Sequence, residues 1–467
     1  MILKNSEYVG VVEKIGVNGE GIIKNDGIVI FIPNVLPEEK IKYKVLKVAK
    51  NFAYGKVVEI LVPADDRVRP ICPVADRCGG CQLQHLSYPM QLKFKTSLVA
   101  DCLSKIGNLN VSVKPTIKND NEFYYRNKLQ LPIASKNGET FIGFYAENSH
   151  RIIPINKCYI HPDWSEKIIL ALKNYISKCH ILGYDEELKI GLLRHVVVRE
   201  TGSGFIITLV TTSENLPKID YFIELLKKSF VHFSLYINVN NKDTNVILGY
   251  KLILKYGKPF YQTEVCGIVC EIGVKSFMQV NNYIASKIYQ NVVKLINSDE
   301  DTYVIDAYSG AGLMTAMLAK KAKMAYGIEI IDEAVEVANN LAKINGLSDK
   351  MVSICGDCSV ELPPLVEELS SKGKVSVVLD PPRKGCDRKV IEAIKKCKID
   401  KIVYVSCNPA TLARDLGLLV GSLKYEGNEI KKDNDYTPEY NIDLVRPYDM
   451  FSQTKHIETV VCLSRNH

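Results

Sequence analysis

Lys401-Ile-Val-Tyr-Val-Ser-Cys-Asn-Pro409 is an apolar run that stops on a cysteine and turns on Asn-Pro. A second such run, Val375-Ser-Val-Val-Leu-Asp380, breaks into Pro381-Pro382-Arg383. Short continuous runs of Val and Ile bounded by turn residues read as strands buried on both faces. Three more precede them, at 303–308, 325–329 and 351–356, and helical patterns at 312–322, 332–345, 387–397 and 409–420 separate the set. Strict alternation of strand and helix predicts an α/β fold with a Rossmann-like, doubly wound sheet, whose ligands lie at the carboxyl ends of the strands. Cys407 is then delivered at a strand end, with Pro409 suited to the first position of the next helix. A helix N-terminus favours thiolate over thiol there. A cysteine ending a buried strand is more often inert packing, but the Asp-Pro-Pro-Arg turn beside it makes Cys407 a candidate nucleophile.

The 467 residues are too many for one ordinary core, so two to four domains are expected. An apolar content of 46%, with 24% charged residues, describes a globular protein. The net charge of +7 permits an anionic partner such as nucleic acid without requiring one. The first residues resemble no signal peptide and no apolar stretch reaches membrane-spanning length. A cytoplasmic location follows as an expectation, with the 14 cysteines reduced or metal-bound rather than paired in disulfides.

Residues 1–62 read as short β-runs punctuated by Gly, Asn-Asp-Gly and Pro, a small OB-like barrel. Six lysines and no acid fall between residues 40 and 56, either a solvated strand face or a basic face that follows a phosphate backbone. Residues 63–270 form a mixed α+β region with helical stretches at 88–106 and 164–179. Two of its segments, Phe123-Tyr-Tyr-Arg-Asn-Lys128 and Leu193-Arg-His-Val-Val-Val-Arg199, mix basic groups with rings or β-branched residues and suit contacts to RNA. Residues 271–467 make up the doubly wound domain.

The first strand of that domain ends in Asp306-Ala-Tyr-Ser-Gly310-Ala-Gly312, where glycines let a ligand approach the backbone. The second ends in Gly327-Ile-Glu329, with an acid placed to hold a ribose diol. Thr315 stands where a dinucleotide fingerprint has its third glycine. With Asp306, Glu329 and Asp357 at successive strand ends, the pattern looks like S-adenosylmethionine (SAM) methyltransferases, whose ligand has no pyrophosphate to cradle. Further on, His456 and Glu458 are two apart in an extended segment and share a face, so either is placed to act as a general base.

Together these motifs resemble the RNA uridine-5-methyltransferase family, in its form with a TRAM domain and an iron–sulfur cluster. The likeness runs from Cys72-Pro-x4-Cys78-Gly-Gly-Cys81-Gln-Leu-Gln-His85 through Ser276-Phe-Met-Gln279-Val-Asn281, Asp306-x-Tyr308-Ser-Gly310, Asp380-Pro-Pro-Arg383-Lys-Gly385 and Ser406-Cys-Asn-Pro409 to His456-x-Glu458. It implies that Gln279, Tyr308, Glu329 and Asp380 contact SAM, that Cys407 is the nucleophile and that Glu458 is the base. Asp357 is expected at the adenine end of SAM. The resemblance also implies a [4Fe–4S] cluster on Cys72, Cys78, Cys81 and Cys158, although spacing alone permits zinc with His85 or His161 as fourth ligand. RNA is the expected partner, 23S ribosomal RNA ahead of the transfer RNA T-loop, with neither a membrane nor an obligate protein partner. Two other classes compete. A radical methylthiotransferase needs a Cys-x3-Cys-x2-Cys triplet, which the five-residue first gap does not provide. An RNA-binding protein without turnover has no need of Cys407, Glu458 and Asp380 together.

Overall fold

The computed structural model describes residues 2–397 and 399–466. It divides into two compact units. The first holds the chain up to Phe94, Asp120–Tyr261 and Phe451–Lys455; the second holds Lys95–Asn119, Gln262–Met450 and the chain from His456 on.

The first unit opens with six strands: β1 (Glu7–Val11), β2 (Lys14–Ile15), β3 (Gly21–Asn25), β4 (Ile28–Ile32), β5 (Lys40–Val48) and β6 (Phe52–Val62), in the order β1-β5-β6-β4-β3-β2. Ile30, Ile32, Ile41, Tyr43, Val45 and Ala53 close its core, alternating with outward residues as the two-residue period of a strand requires. One expected run, 8–15, is split: Val12 turns inward and its amide bonds to the Glu39 carbonyl instead of a strand partner. Glu39 is fully buried. It accepts from the amides of Leu36 and Ala64 and from the Arg67 guanidinium, so the chain leaving the sheet is tied to it.

Helix α1 (Tyr88–Lys105) follows. Then come β7 (Lys128–Lys136), β8 (Glu139–Tyr145), β9 (Ile152–Pro154), α2 (Trp164–Cys179), β10 (Leu193–Glu200), β11 (Phe205–Thr211), α3 (Ile219–Lys227), β12 (Phe233–Val239) and β13 (Lys251–Tyr256). The strands form one sheet, β13-β12-β11-β10-β7-β8-β9, and α2 and α3 bury Ile168, Leu172, Tyr175, Phe222 and Leu226 in a shared core. Burial of this kind contributes roughly 1.5–3 kcal/mol per large side chain. The expected RNA contact at 193–199 is not met. Arg194 and Arg199 are buried inside β10, and Arg194 donates to the carbonyls of Asn240 and Lys242.

In the second unit a hairpin, β14 (Tyr261–Val265) with β15 (Ile268–Ile272), leads to α4 (Asn282–Ile296). The alternating region then runs β16 (Thr302–Ala307), α5 (Leu313–Ala319), β17 (Met324–Glu329), α6 (Asp332–Ile344), β18 (Met351–Cys355), α7 (Cys358–Ser370), β19 (Lys374–Leu379), α8 (Arg388–Cys397), β20 (Lys401–Ser406) and α9 (Pro409–Val420). A small hairpin, β21 (Leu423–Glu426) and β22 (Glu429–Lys432), precedes β23 (Tyr440–Tyr448) and β24 (Glu458–Arg465). The sheet order is β18-β17-β16-β19-β20-β24-β23, parallel except for β24, which runs antiparallel to both of its neighbours. Its center is dry: Val304, Ile305, Val377, Val403 and Tyr404 are fully enclosed. The doubly wound fold is therefore as expected, with a SAM methyltransferase topology. Helix α7 was not foreseen, because Pro363 and Pro364 lie inside it and each removes an amide donor. Lys95 and Asp449, both fully buried, form an ion pair in this unit.

Candidate active site

Parallel register aligns the strand ends. Ala307 pairs with Leu379, so Tyr308 and Asp380 leave the sheet side by side. Ser406 pairs with Thr459 across the antiparallel edge, which sets Glu458, the first residue of β24, beside Cys407, the residue after β20. The two turns are also stitched together. Asn408 caps α9 by accepting from the Ala410 amide at 3.0 Å and donates to the Arg383 carbonyl at 3.1 Å. The Thr411 hydroxyl donates to the same carbonyl at 3.2 Å. Farther along α9, Asp415 accepts from the Cys386 amide at 2.8 Å and the Tyr404 hydroxyl at 2.6 Å.

These strand ends open into a cleft at the carboxyl edge of the sheet. Gln279, Tyr289, Asp306, Tyr308, Asp380 and Glu458 are among its lining side chains. Tyr308 holds φ +68°, a left-handed conformation that costs a bulky residue about 1–3 kcal/mol and clusters at working sites. Gly312, at φ +79°, also has no room for a side chain, since a Cβ there would lie 2.7 Å from Ala338 and Met351. Of the residues expected at the site, Glu329, Asp357 and Cys407 do not line this cleft. Glu329 accepts from the amides of Gly310 at 3.0 Å and Ile331 at 2.9 Å, which fixes the glycine turn. Asp357 is the N-cap of α7 and accepts from Ser359. His456 is not a lining residue, whereas Glu458 is.

The electrostatics depart from the simple helix-dipole expectation for Cys407. Burial pushes its thiol up, the Glu458 carboxyl adds to this, and Arg383 pulls the other way. The free protein thus holds a thiol. Burial raises Asp306 to about 7 against the hydroxyl bond it accepts from Thr315. The surrounding protein pushes Asp380 up to about 7 as well, although the open cleft admits water and moderates that shift. Glu458 is raised well above the usual carboxylate range by burial and by Asp380. Three carboxyls around one cleft, with only Arg383 as a cationic influence on Glu458, leave the cleft short of positive charge. Tyr289 on α4 joins them, its hydroxyl held protonated by burial, Asp380 and Glu458. Its helix was not read from the sequence, so the residue was missed.

A family profile for tRNA (uracil-5-)-methyltransferases matches residues 267–466, and a TRAM profile matches residues 11–58. An RNA methyltransferase of Clostridium acetobutylicum is 40% identical over 99% of this chain and 98% of its own length. The chain belongs to the RNA uracil-5-methyltransferase family. Another relative in the family, an RNA methyltransferase of Halalkalibacterium halodurans, is 39% identical over 98% of this chain and 97% of its own. A solved structure, the Pyrococcus abyssi tRNA (uracil-54, C5)-methyltransferase in complex with S-adenosyl-L-homocysteine, superposes with a TM-score of 0.76 at 28% identity, covering 97% of this chain and 99% of that one. Among the described residues no helix is long and apolar enough to cross a membrane.

Cys72, Cys78, Cys81 and Cys158, four of the five cysteines of the first unit, form no disulfide. Cys81 is pushed up by burial and by the thiols of Cys158, Cys78 and Cys72, and Cys158 to about 12 by burial with Cys78 and Cys72 adding to it. The Cys158 sulfur lies 3.1 Å from His161 Nδ1, while His161 Nε2 is 2.8 Å from the Lys128 carbonyl. Among the described residues no three His, Cys, Asp or Glu side chains are spaced to hold a single metal ion.

Proposed function

We propose that the protein transfers a methyl group from SAM to carbon 5 of a uridine in RNA, through a covalent bond between Cys407 and carbon 6 of the uracil. The observation that carries this reading is the β20–β24 register, which sets Cys407 beside Glu458, a residue that lines the same cleft as Gln279, Tyr308 and Asp380. SAM, when bound, supplies an electrophilic methyl on a positively charged sulfur. The chain's own residues do the rest. A positive charge in the cleft favours the ionised forms of Asp380 and Glu458, against the upward push on both carboxyls in the free protein. The Cys407 thiol gives up its proton to solvent through the open cleft. The thiolate adds to carbon 6, and the electron pair passes to carbon 5, which takes the methyl as the methyl–sulfur bond breaks and its pair stays on the sulfur, leaving neutral S-adenosyl-L-homocysteine. Ionised Glu458 then removes the carbon 5 proton, and the pair left behind expels the thiolate and restores the double bond. Attack on both faces of the ring requires the base to leave its stack.

The substrate has two supports. The TRAM domain and cysteine set resemble forms that act on 23S ribosomal RNA, whereas the solved Pyrococcus relative is named for uracil 54 of transfer RNA. Transcripts of both RNAs, with radiolabelled SAM, decide between them by which one takes up label at a uridine. A transcript carrying 5-fluorouridine tests the chemistry: fluorine replaces the proton that Glu458 must remove, so the adduct persists. A stable protein–RNA complex that vanishes in Cys407→Ala is expected, and an undiminished complex in that variant overturns the mechanism.

In the same reading Cys72, Cys78, Cys81 and Cys158 hold a [4Fe–4S] cluster. The fit rests on four free thiols crowding one another. The group would crosslink the 72–81 loop to Cys158. A colourless, zinc-loaded protein purified without oxygen overturns this assignment.

A further inference from the structure

Cys358 and Cys386, both buried in the core of the second unit, have no part in the reaction above, and Tyr308 packs against the cluster that holds them. The Cys358 sulfur accepts from the Tyr308 amide, and the Tyr308 hydroxyl donates to the Cys386 sulfur. Cys386 is itself held at three points. Its amide donates to Asp415 Oδ2 at 2.8 Å, its carbonyl accepts from Arg414 Nη2 at 3.3 Å, and its sulfur lies 3.6 Å from the Tyr404 hydroxyl oxygen. The Tyr404 hydroxyl donates to the same Asp415 oxygen at 2.6 Å, and Arg414 Nε donates to the other at 2.7 Å. Gly385 leaves room for the ion pair, since a Cβ there would lie 2.5 Å from both Arg414 and Asp415.

The charged end sets the direction of the protons. Burial pushes the Asp415 carboxyl up, against the pull of Tyr404, the Cys386 amide and Arg414. With a guanidinium on one oxygen it acts as an acceptor, so Tyr404 donates to it. The Tyr404 oxygen then accepts from the Cys386 S–H, whose sulfur accepts from Tyr308. Burial and Asp415 push the Cys386 thiol up to about 12, the two tyrosine hydroxyls pulling the other way, so the S–H that this order needs is present. A residue that only filled space, Val or Leu, would leave the Tyr308 hydroxyl without that acceptor. Tyr308 needs such support, because a left-handed backbone at φ +68° persists only where its surroundings over-determine it. We propose that Cys386 is a positioning residue for the cofactor: pinned by Arg414, Asp415 and Tyr404, it anchors the Tyr308 hydroxyl and so fixes that ring at the wall of the cleft. This rests on the reading above that Tyr308 contacts SAM, and adds the chain of groups that holds it there.

The test is a double-mutant cycle on the full-length protein, read as the Kd of S-adenosyl-L-homocysteine by isothermal titration calorimetry. Thermal unfolding confirms that each variant is folded. Cys386→Ala is expected to weaken binding by about two- to tenfold, the span of one hydrogen bond. Cys386→Ser, which keeps a donor and an acceptor, should recover part of that loss. In the Tyr308→Phe background, which lacks the hydroxyl, Cys386→Ala should cost nothing further, because the two side chains act as one unit. Should Cys386→Ala fail to fold, Tyr404→Phe breaks the same chain one link farther on and is expected to behave alike in both backgrounds. Equal losses with and without the Tyr308 hydroxyl overturn the proposal, since they mark a merely structural role. So does wild-type affinity in Cys386→Ala and Tyr404→Phe while Tyr308→Ala loses the ligand, an outcome that leaves Tyr308 at the cofactor. Wild-type affinity in Tyr308→Ala removes Tyr308 from the cofactor site, and the proposal falls with it. If the cycle shows the expected coupling but the protein methylates no uridine, the methyl-transfer reading fails and the anchoring stands.

Discussion

Buried acids are treated in opposite ways in two parts of this molecule. Glu39, beneath the amino-terminal sheet, has two backbone amides and a guanidinium around it, so the push of burial is more than offset and its carboxyl is held below the usual range. In the cleft, Asp306 has one hydroxyl donor and Glu458 has Arg383 only as a modest influence; both stay above the usual range. The first arrangement is what a structural charge needs, since an unpaired buried ion is costly. The second is an unfinished one that a cationic ligand completes. Compensation thus separates the acid that holds the fold from those that wait for a reactant.

The largest effect expected is at the nucleophile. Cys407→Ala should lower methyl transfer by on the order of 10^4-fold or more, while RNA affinity by filter binding stays close to wild type. Full turnover in that variant would remove the chemical meaning of the cleft's uncompensated charge. Next comes the compensated side: Arg67→Ala strands Glu39 and should cost about 3–5 kcal/mol, read as a shift in the denaturant midpoint. A much smaller shift would mean that Glu39 simply takes up a proton, and the contrast would weaken.

Asp306→Asn should do the reverse. With a folded pKa of about 7 against roughly 3.9 unfolded, the Asp306 contribution is fully present below pH 4 and is lost as pH rises through 7. At pH 8 the variant should therefore be more stable by on the order of a few kcal/mol, and the gain should vanish toward pH 4. Glu39 has the opposite sign, its contribution being present above pH ~4.3 and lost as pH falls through its lowered value. The smallest effect concerns the link between the turns: Asn408→Ala should cost about 1 kcal/mol of stability as a lost cap. It should also alter alkylation of Cys407 by iodoacetamide, which a purely local cap would leave unchanged.

Much of this was legible in the residues. Val- and Ile-rich runs ending in Asp-Pro-Pro-Arg and Ser-Cys-Asn-Pro announced buried parallel strands with chemistry at their ends, and Pro409 does open α9. What was not legible depends on register and distance. Spacing left His456 and Glu458 equivalent; only the pairing of Ser406 with Thr459 separates them. Glu329 and Asp357 are acids at the expected strand ends whose carboxylates also accept from backbone amides, a local tie that motif spacing does not reveal. The ion pair of Lys95 with Asp449 joins residues too far apart in sequence for any window to see. The phosphate-clamp reading of Arg194 and Arg199 failed for the same reason, because burial is decided by neighbouring strands.

Helix α9 begins just after Cys407, the proposed nucleophile, and through Asn408, Thr411 and Asp415 is also bonded to the turn that bears Asp380 and Arg383. It works as a ruler between the two halves of the reaction. Thermal displacement of the helix moves both turns in concert, so their spacing is preserved even when their absolute positions drift. In the proposed reaction Cys407 and Asp380 keep their spacing because both turns are bonded to the same helix start.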